Sequence, residues 1–319
     1  MESDREEFSV PGSGRPEEDA LLIVGTGAMA CLFAARLVAA GLRVTLLGTW
    51  SAGLKALQEG GVRVIRDGGL ETSYPVVATS EPADCRGARH ALVLVKSWQT
   101  ERAARQLTEC LPAEGLALTL QNGLGNREKL VHALGAQRVA LGVTTTGATL
   151  LGPGRVRPGG EGVISAGEHA RLAPLVTLLR RGGFDVETVP EAESLLWSKL
   201  VINAAINPLT ALLRVRNGVL LQRPEAQALL AEAAREAASV AAAQGLHLTY
   251  PDPVAAAEAV AQRTASNTSS MLQDVLRGAP TEIDAICGAI VTIADQHGIP
   301  VPVTRTLWLL VKALVQPET

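Results

Sequence analysis

A chain of 319 residues with 47% hydrophobic content is long enough for two domains, each able to bury a core of its own. Its 29 basic and 32 acidic side chains leave a net charge of -3, which excludes the overall positive field that would hold nucleic acid or an anionic membrane surface. The four cysteines, Cys31, Cys85, Cys110 and Cys287, lie far apart without the close pairs of a zinc or redox motif, so they read as reduced, buried thiols with no metal.

Residues 1–19 mix Glu2, Asp4, Glu6, Glu7, Glu17, Glu18 and Asp19 with Ser, Gly and Pro, and read as a disordered acidic tail with too little apolar content to pack. This start lacks the basic end and apolar run of a secretory signal, which points to the cytosol. From Ala20 onward, short apolar runs alternate with longer helical segments, the pattern of βαβ units in a parallel sheet. Strands are expected at 21–24, 44–47, 91–95 and 116–120, with helices in the Ala-rich segments after the first two and at 100–111. Between 141 and 167 the chain is rich in Thr144, Thr145 and Thr146 and in Gly and Pro, the texture of antiparallel strands joined by tight turns and added to the sheet edge. Beyond Pro190 the stretches 194–213, 225–244 and 282–297 carry helical periodicity with no strand candidate. The expected fold class is therefore α/β, a doubly wound sheet domain over 20–190 followed by an all-helical domain over 191–319. The last apolar stretch, 307–315, is broken by Lys312 and is about half a membrane span, so no membrane segment is expected. It can serve as a homodimer seam or as core.

Gly25-Thr26-Gly27-Ala28-Met29-Ala30 follows the first strand and opens a helix. A pyrophosphate needs backbone amides it can approach closely; the two glycines supply the turn and the bare approach, the helix start supplies positive potential, and Ala30 is small where helix meets strand. After the second strand come Gly48, Thr49, Trp50 and Ser51, with neither the carboxylate that binds a ribose hydroxyl nor the arginine that binds a 2′-phosphate. The missing carboxylate favours NADPH over NADH. Lys96 and Asn122 stand just beyond two further strands on the same edge and should border one crevice with Gly25, although a solvated lysine and a bare Asn-Gly turn would look the same in sequence.

In the helical half, Lys199, Asn203 and Asn207 are spaced i, i+4, i+8 and form one polar stripe roughly 12 Å long on an otherwise apolar helix. Buried amide and ammonium groups are costly without partners, so the stripe should line a polar cleft or cement two helices as an internal network. Pro208 cannot donate to the carbonyl four residues back, so the helix is expected to bend or stop there and present Asn207 at a terminus. Ser270 with Gln273 and Thr281 with Asp284 fit capping boxes, while Glu282 is expected in a first helical turn, where the dipole favours its ionised form.

The runs Trp197-Ser198-Lys199-Leu200, Asn203, and Ile206-Asn207-Pro208-Leu209-Thr210-Ala211 together resemble the central signature of ketopantoate reductases. So do Ser269-Ser270-Met271-Leu272-Gln273-Asp274, Thr281-Glu282-Ile283-Asp284, Leu120-Gln121-Asn122-Gly123-Leu124-Gly125 and Val95-Lys96, over roughly residues 21–304. The resemblance implies a Rossmann-type domain and a helical domain with the active site between them, NADP(H) as cofactor and a small 2-keto acid as substrate. It also implies that Lys199 is the proton donor, that Asn203, Asn207 and Ser270 hold the keto acid, and that Glu282 anchors its hydroxyl. Asn122 would then lie near the nicotinamide and Lys96 near the cofactor's phosphates. The family's arginine after the second strand is absent here. Two other readings stand beside this one: a paralogue reducing another small 2-keto acid, and a dinucleotide-binding sensor without catalysis.

Overall fold

A computed structural model describes residues 20–314; the acidic tail and Val315 lie outside the described residues. In chain order the first half contains β1 (Ala20–Val24), α1 (Ala28–Ala39), β2 (Arg43–Leu47), α2 (Ser51–Gly60), β3 (Val62–Ile65), β4 (Glu71–Tyr74), β5 (Val77–Thr79) and β6 (His90–Val93). It continues with α3 (Thr100–Cys110), β7 (Leu116–Thr119), α4 (Asn126–Leu134), β8 (Val139–Thr144), β9 (Ala148–Gly152), β10 (Arg155–Pro158), β11 (Val163–Gly167), α5 (Ala173–Arg181) and β12 (Asp185–Val189). The main sheet has the order β12-β11-β8-β7-β6-β1-β2-β5. From β5 to β8 every pairing is parallel, so all these strands end on one edge. Its central strands are apolar on both faces because α1 covers one and α3 and α4 cover the other; Leu22, Ile23, Ala91, Leu92 and Leu118 are fully buried.

The segment 141–167 departs from expectation. β8 is an inner parallel strand, β11 pairs antiparallel to it, and the β9–β10 hairpin leaves the main sheet for a second one of order β4-β3-β10-β9. The hairpin is antiparallel, but β10 lies parallel to β3, so its Gly-rich flanks serve to carry the chain between sheets.

The second half contains α6 (Ala192–Leu213), α7 (Pro224–Ala243), α8 (Pro253–Arg263), α9 (Ser270–Leu276), α10 (Ala289–His297) and α11 (Pro302–Leu314), with no strand among the described residues. α6 is its axis, packed by α7, α8, α9 and α11 around Leu200, Val201, Ala204, Ala205 and Leu209. By length and composition α6 could cross a membrane, but 67% of its most apolar window is buried inside the fold. α6 also continues past Pro208 to Leu213, so the helix does not stop there and Asn207 is not at a terminus. Proline removes the bond its own amide would make, and just beyond it the hydroxyl of Thr210 donates one turn back, to the carbonyls of Ile206 and Asn207. α11 divides the two readings of its apolar run: Leu307 and Val311 are core, whereas Leu309, Leu310 and Leu314 are exposed.

Candidate active site

At the end of β1 the chain turns through Gly25, whose φ of +133° strains any side chain and whose Cβ, if it had one, would crowd the Leu94 carbonyl at 3.1 Å. Its amide donates to the Leu47 carbonyl at 2.8 Å. Gly27 is the N-cap of α1 and makes no side-chain cap bond, and a Cβ placed on it would meet no atom within 4 Å. A helix start with uncapped amides beneath open space is suited to an anion. Thr26 is buried against the end of β2; its methyl lies 2.6 Å from where a Cβ on Gly48 would stand.

Two more strand ends on this edge reach the helical half. Lys96 donates to Asp274 at 2.6 Å and, more weakly, to Glu282 at 3.5 Å. Glu282 accepts from the Ser97 amide at 3.0 Å through Oε1 and from Asn122 at 3.4 Å through Oε2. Burial pushes the Lys96 ammonium down, but Glu282 and Asp274 together prevail and hold it above the usual lysine range. Behind these loops Thr100 accepts from Gln121 at 2.8 Å and donates to Asn126 at 2.8 Å, and Asn126 donates to the Asn122 carbonyl at 2.9 Å. Gly123, at φ +82°, lets the Ala285 carbonyl come within 2.6 Å of its missing Cβ, and the next amide, Leu124, donates to that carbonyl at 2.9 Å. The Asn122-Gly123 pair is therefore a turn fitted to the helical half.

Glu282 is not within a first helical turn. Its carbonyl accepts the first helical bonds, from Ala285 and Ile286, a π-helical turn over Asp284–Gly288 follows, and its carboxylate points across to the sheet half. The first capping box is also displaced by one residue: Ser269 caps α9 by accepting from Leu272 at 3.1 Å, and Gln273 turns to the Thr268 carbonyl. Ser270 is thereby left without a hydrogen-bond partner among the described residues. Thr281 contributes only a 3.5 Å contact to the Ile283 amide.

Lys199 projects from α6 to the end of β8, where its ammonium donates to the Thr144 carbonyl at 2.7 Å. The residue as a whole is half-buried, while its charged end lies deep among protein atoms, and that burial pushes its pKa down to about 8 against the opposing pull of Glu282. Asn203 is half-buried and Asn207 buried; neither side chain has a hydrogen-bond partner among the described residues. The stripe thus splits into one anchored ammonium and two uncommitted amides, a poor fit to an internal network. Sequence reasoning gave no role to Asp274, the buried carboxylate shared by Lys96 and Arg277, or to the Thr144 carbonyl. Asp274 sits at i+4 from Ser270, the one signal that could have marked it; a backbone carbonyl has none.

Residues 21–171 match the family Ketopantoate reductase PanE/ApbA, and residues 191–315 match Ketopantoate reductase PanE/ApbA C terminal. A 2-dehydropantoate 2-reductase of Halobacterium salinarum is 38% identical, over 92% of this chain and 97% of that protein. Among solved structures, a PanE/ApbA family ketopantoate reductase from Ralstonia eutropha superposes with a TM-score of 0.85 at 33% identity, covering 93% of this chain and 98% of that one. A D-mandelate dehydrogenase in complex with NADH and anilino(oxo)acetate has a TM-score of 0.85 at 25% identity, with coverage of 93% and 98%. On these matches, which run through both halves and carry every strand end and helix just described, the chain belongs to the ketopantoate reductase family of oxidoreductases.

Proposed function

We propose that this oxidoreductase uses NADPH to reduce the ketone of 2-dehydropantoate to the hydroxyl of pantoate, a step toward pantothenate and coenzyme A. The single observation that carries the reading is the Lys199 ammonium, tuned to about 8 and held at the same sheet edge as the glycine loop and Asn122. The open approach at Gly27 and the uncapped start of α1 fit a pyrophosphate; Lys96, beyond the end of the strand next to β1, is assigned to the phosphates, for which it would leave its pairing with Asp274 and Glu282. A bound dinucleotide supplies the hydride. Charge arriving on the ketone oxygen is met by the Lys199 ammonium, which stabilises it and delivers the proton. Asn203, Asn207 and Ser270, free of protein partners, hold the keto acid. Glu282 has one oxygen committed to the Ser97 amide; the other, with only the two long contacts, keeps capacity for a substrate hydroxyl. The domain boundary falls at Pro190 and Glu191, before α6. The four cysteines are free and buried, which fits the reducing cytosol.

Oxidation of NADPH and NADH measured with ketopantoate and a panel of branched and linear 2-keto acids tests the reading. The expected result is the highest kcat/KM with NADPH and ketopantoate. A better rate on another acid would favour the second reading, a paralogue for a different 2-keto acid, to which the likeness to a D-mandelate dehydrogenase gives support. No oxidation with either cofactor would favour a sensor. Self-association is part of the proposal, supported by the outer face of α11, where Leu309, Leu310 and Leu314 recur at helical spacing and remain exposed. Light scattering should give twice the chain mass; the mass of one chain at micromolar concentration would dismiss the dimer.

A further inference from the structure

Two tryptophans flank the glycine loop. β2 and β6 are the strands paired to β1, and beyond their ends stand Trp50, 39% exposed, and Trp98, 51% exposed. A large ring left half open at a ligand-binding edge is unusual, because full burial of so much apolar surface is favourable. The strand order separates the two. Lys199 reaches the end of β8 and Asn122 follows β7, so the reacting end of a dinucleotide lies on the β6, β7 and β8 side of the glycine loop. A dinucleotide runs in opposite directions from its pyrophosphate, and its adenosine must therefore extend over β2, toward Trp50 and away from Trp98.

Trp50 is also seated in a way that suits a platform. It is the N-cap of α2, and its ring lies on the first turn so closely that a Cβ on Gly53 would fall 2.3 Å from Cε3. Gly53 is buried, and any side chain there would push the indole off its seat. Two residues before Trp50, Gly48 packs on the Thr26 methyl within the glycine loop. The indole thus rests on the first turn of α2, two residues along the chain from a contact with the glycine loop, and is still partly exposed.

We propose that Trp50 is the platform on which the adenine of the dinucleotide stacks, at the end of β2, where residues 48–51 carry no charge to grip the adenosine. This rests on the dinucleotide reading above. Stacking on an aromatic ring is sequence-tolerant and strong enough to hold a nucleobase without hydrogen bonds. Thr49 and Ser51, the neighbours of Trp50 in sequence, are neutral and themselves add no carboxylate against a 2′-phosphate.

The test uses the whole chain and two probes, NADPH followed by its own fluorescence and ADP followed by calorimetry. ADP carries the adenine and pyrophosphate but no reacting ring. Trp50→Ala is expected to weaken both by about tenfold, in the range of one stacked base. Trp98→Ala should leave ADP binding within about twofold, a change of less than half a kcal/mol on the same conversion. Addition of ADP should quench indole emission in the wild type and not in Trp50→Phe. Gly53→Ala keeps the indole but unseats it, and should weaken ADP as well, with circular dichroism showing the fold retained. If the wild type binds NADPH while Trp50→Ala binds ADP equally well, or if the quenching follows Trp98, the platform is wrong and the dinucleotide reading survives. A wild type that binds neither probe overturns both.

Discussion

Lys199→Ala is expected to lower kcat by about 10²- to 10⁴-fold, the usual worth of a positioned acid, with NADPH binding and the circular dichroism spectrum unchanged. The side chain crosses from α6 to the end of β8 and is held there by one carbonyl, and Glu282, which also pulls on it, keeps Lys96 as a partner when Lys199 is removed. The wild-type pH profile should carry the same residue's signature. Burial depresses the ammonium to about 8, so the proton to be donated is present below that pH and lost above it. Turnover should therefore be level on the acid side and fall by about tenfold per pH unit well above 8. Near-normal turnover in a folded Lys199→Ala would take lysine out of the mechanism.

Much of this was legible in the sequence, for reasons that can be named. The β1 loop is a glycine pair between a strand and a helix; the φ of Gly25 calls for glycine, and a glycine at Gly27 keeps the approach to the helix start bare. The α6 stripe shows because polar residues at i, i+4 and i+8 contrast with an apolar helix. Other features left little trace. β3 and β4 are four residues each, and β4 is largely polar, so the second sheet has too short a pattern to separate from loop. Pro208 misled because the cost of one interior proline is local, and the buried packing around it, from Ala204 to Ala211, outweighs it. Ser269 and Ser270 are adjacent and alike, and a one-residue choice of cap decides which of them is free. The pairing of Lys96 with Asp274 spans 178 residues, and nothing local foretells it.

Glu282→Gln is expected to cut kcat by about tenfold near neutral pH and to shift the basic limb of the profile to lower pH. Two lysines depend on this carboxylate, but unequally. Lys96 keeps Asp274 at 2.6 Å when Glu282 is neutralised, so it stays charged and the loop after β6 stays in place. Lys199 has no other acidic group opposing its desolvation, and without Glu282 its pKa falls below the present value of about 8. At a fixed pH a smaller fraction of the enzyme then carries the proton to be donated. Glutamine is nearly isosteric and can still accept from the Ser97 amide, which separates the loss of charge from the loss of shape. A purely structural role would lower turnover equally at every pH. The position of the limb therefore decides the matter: a profile that drops without moving would show that Glu282 only braces the loop, and that Lys199 is tuned by burial alone.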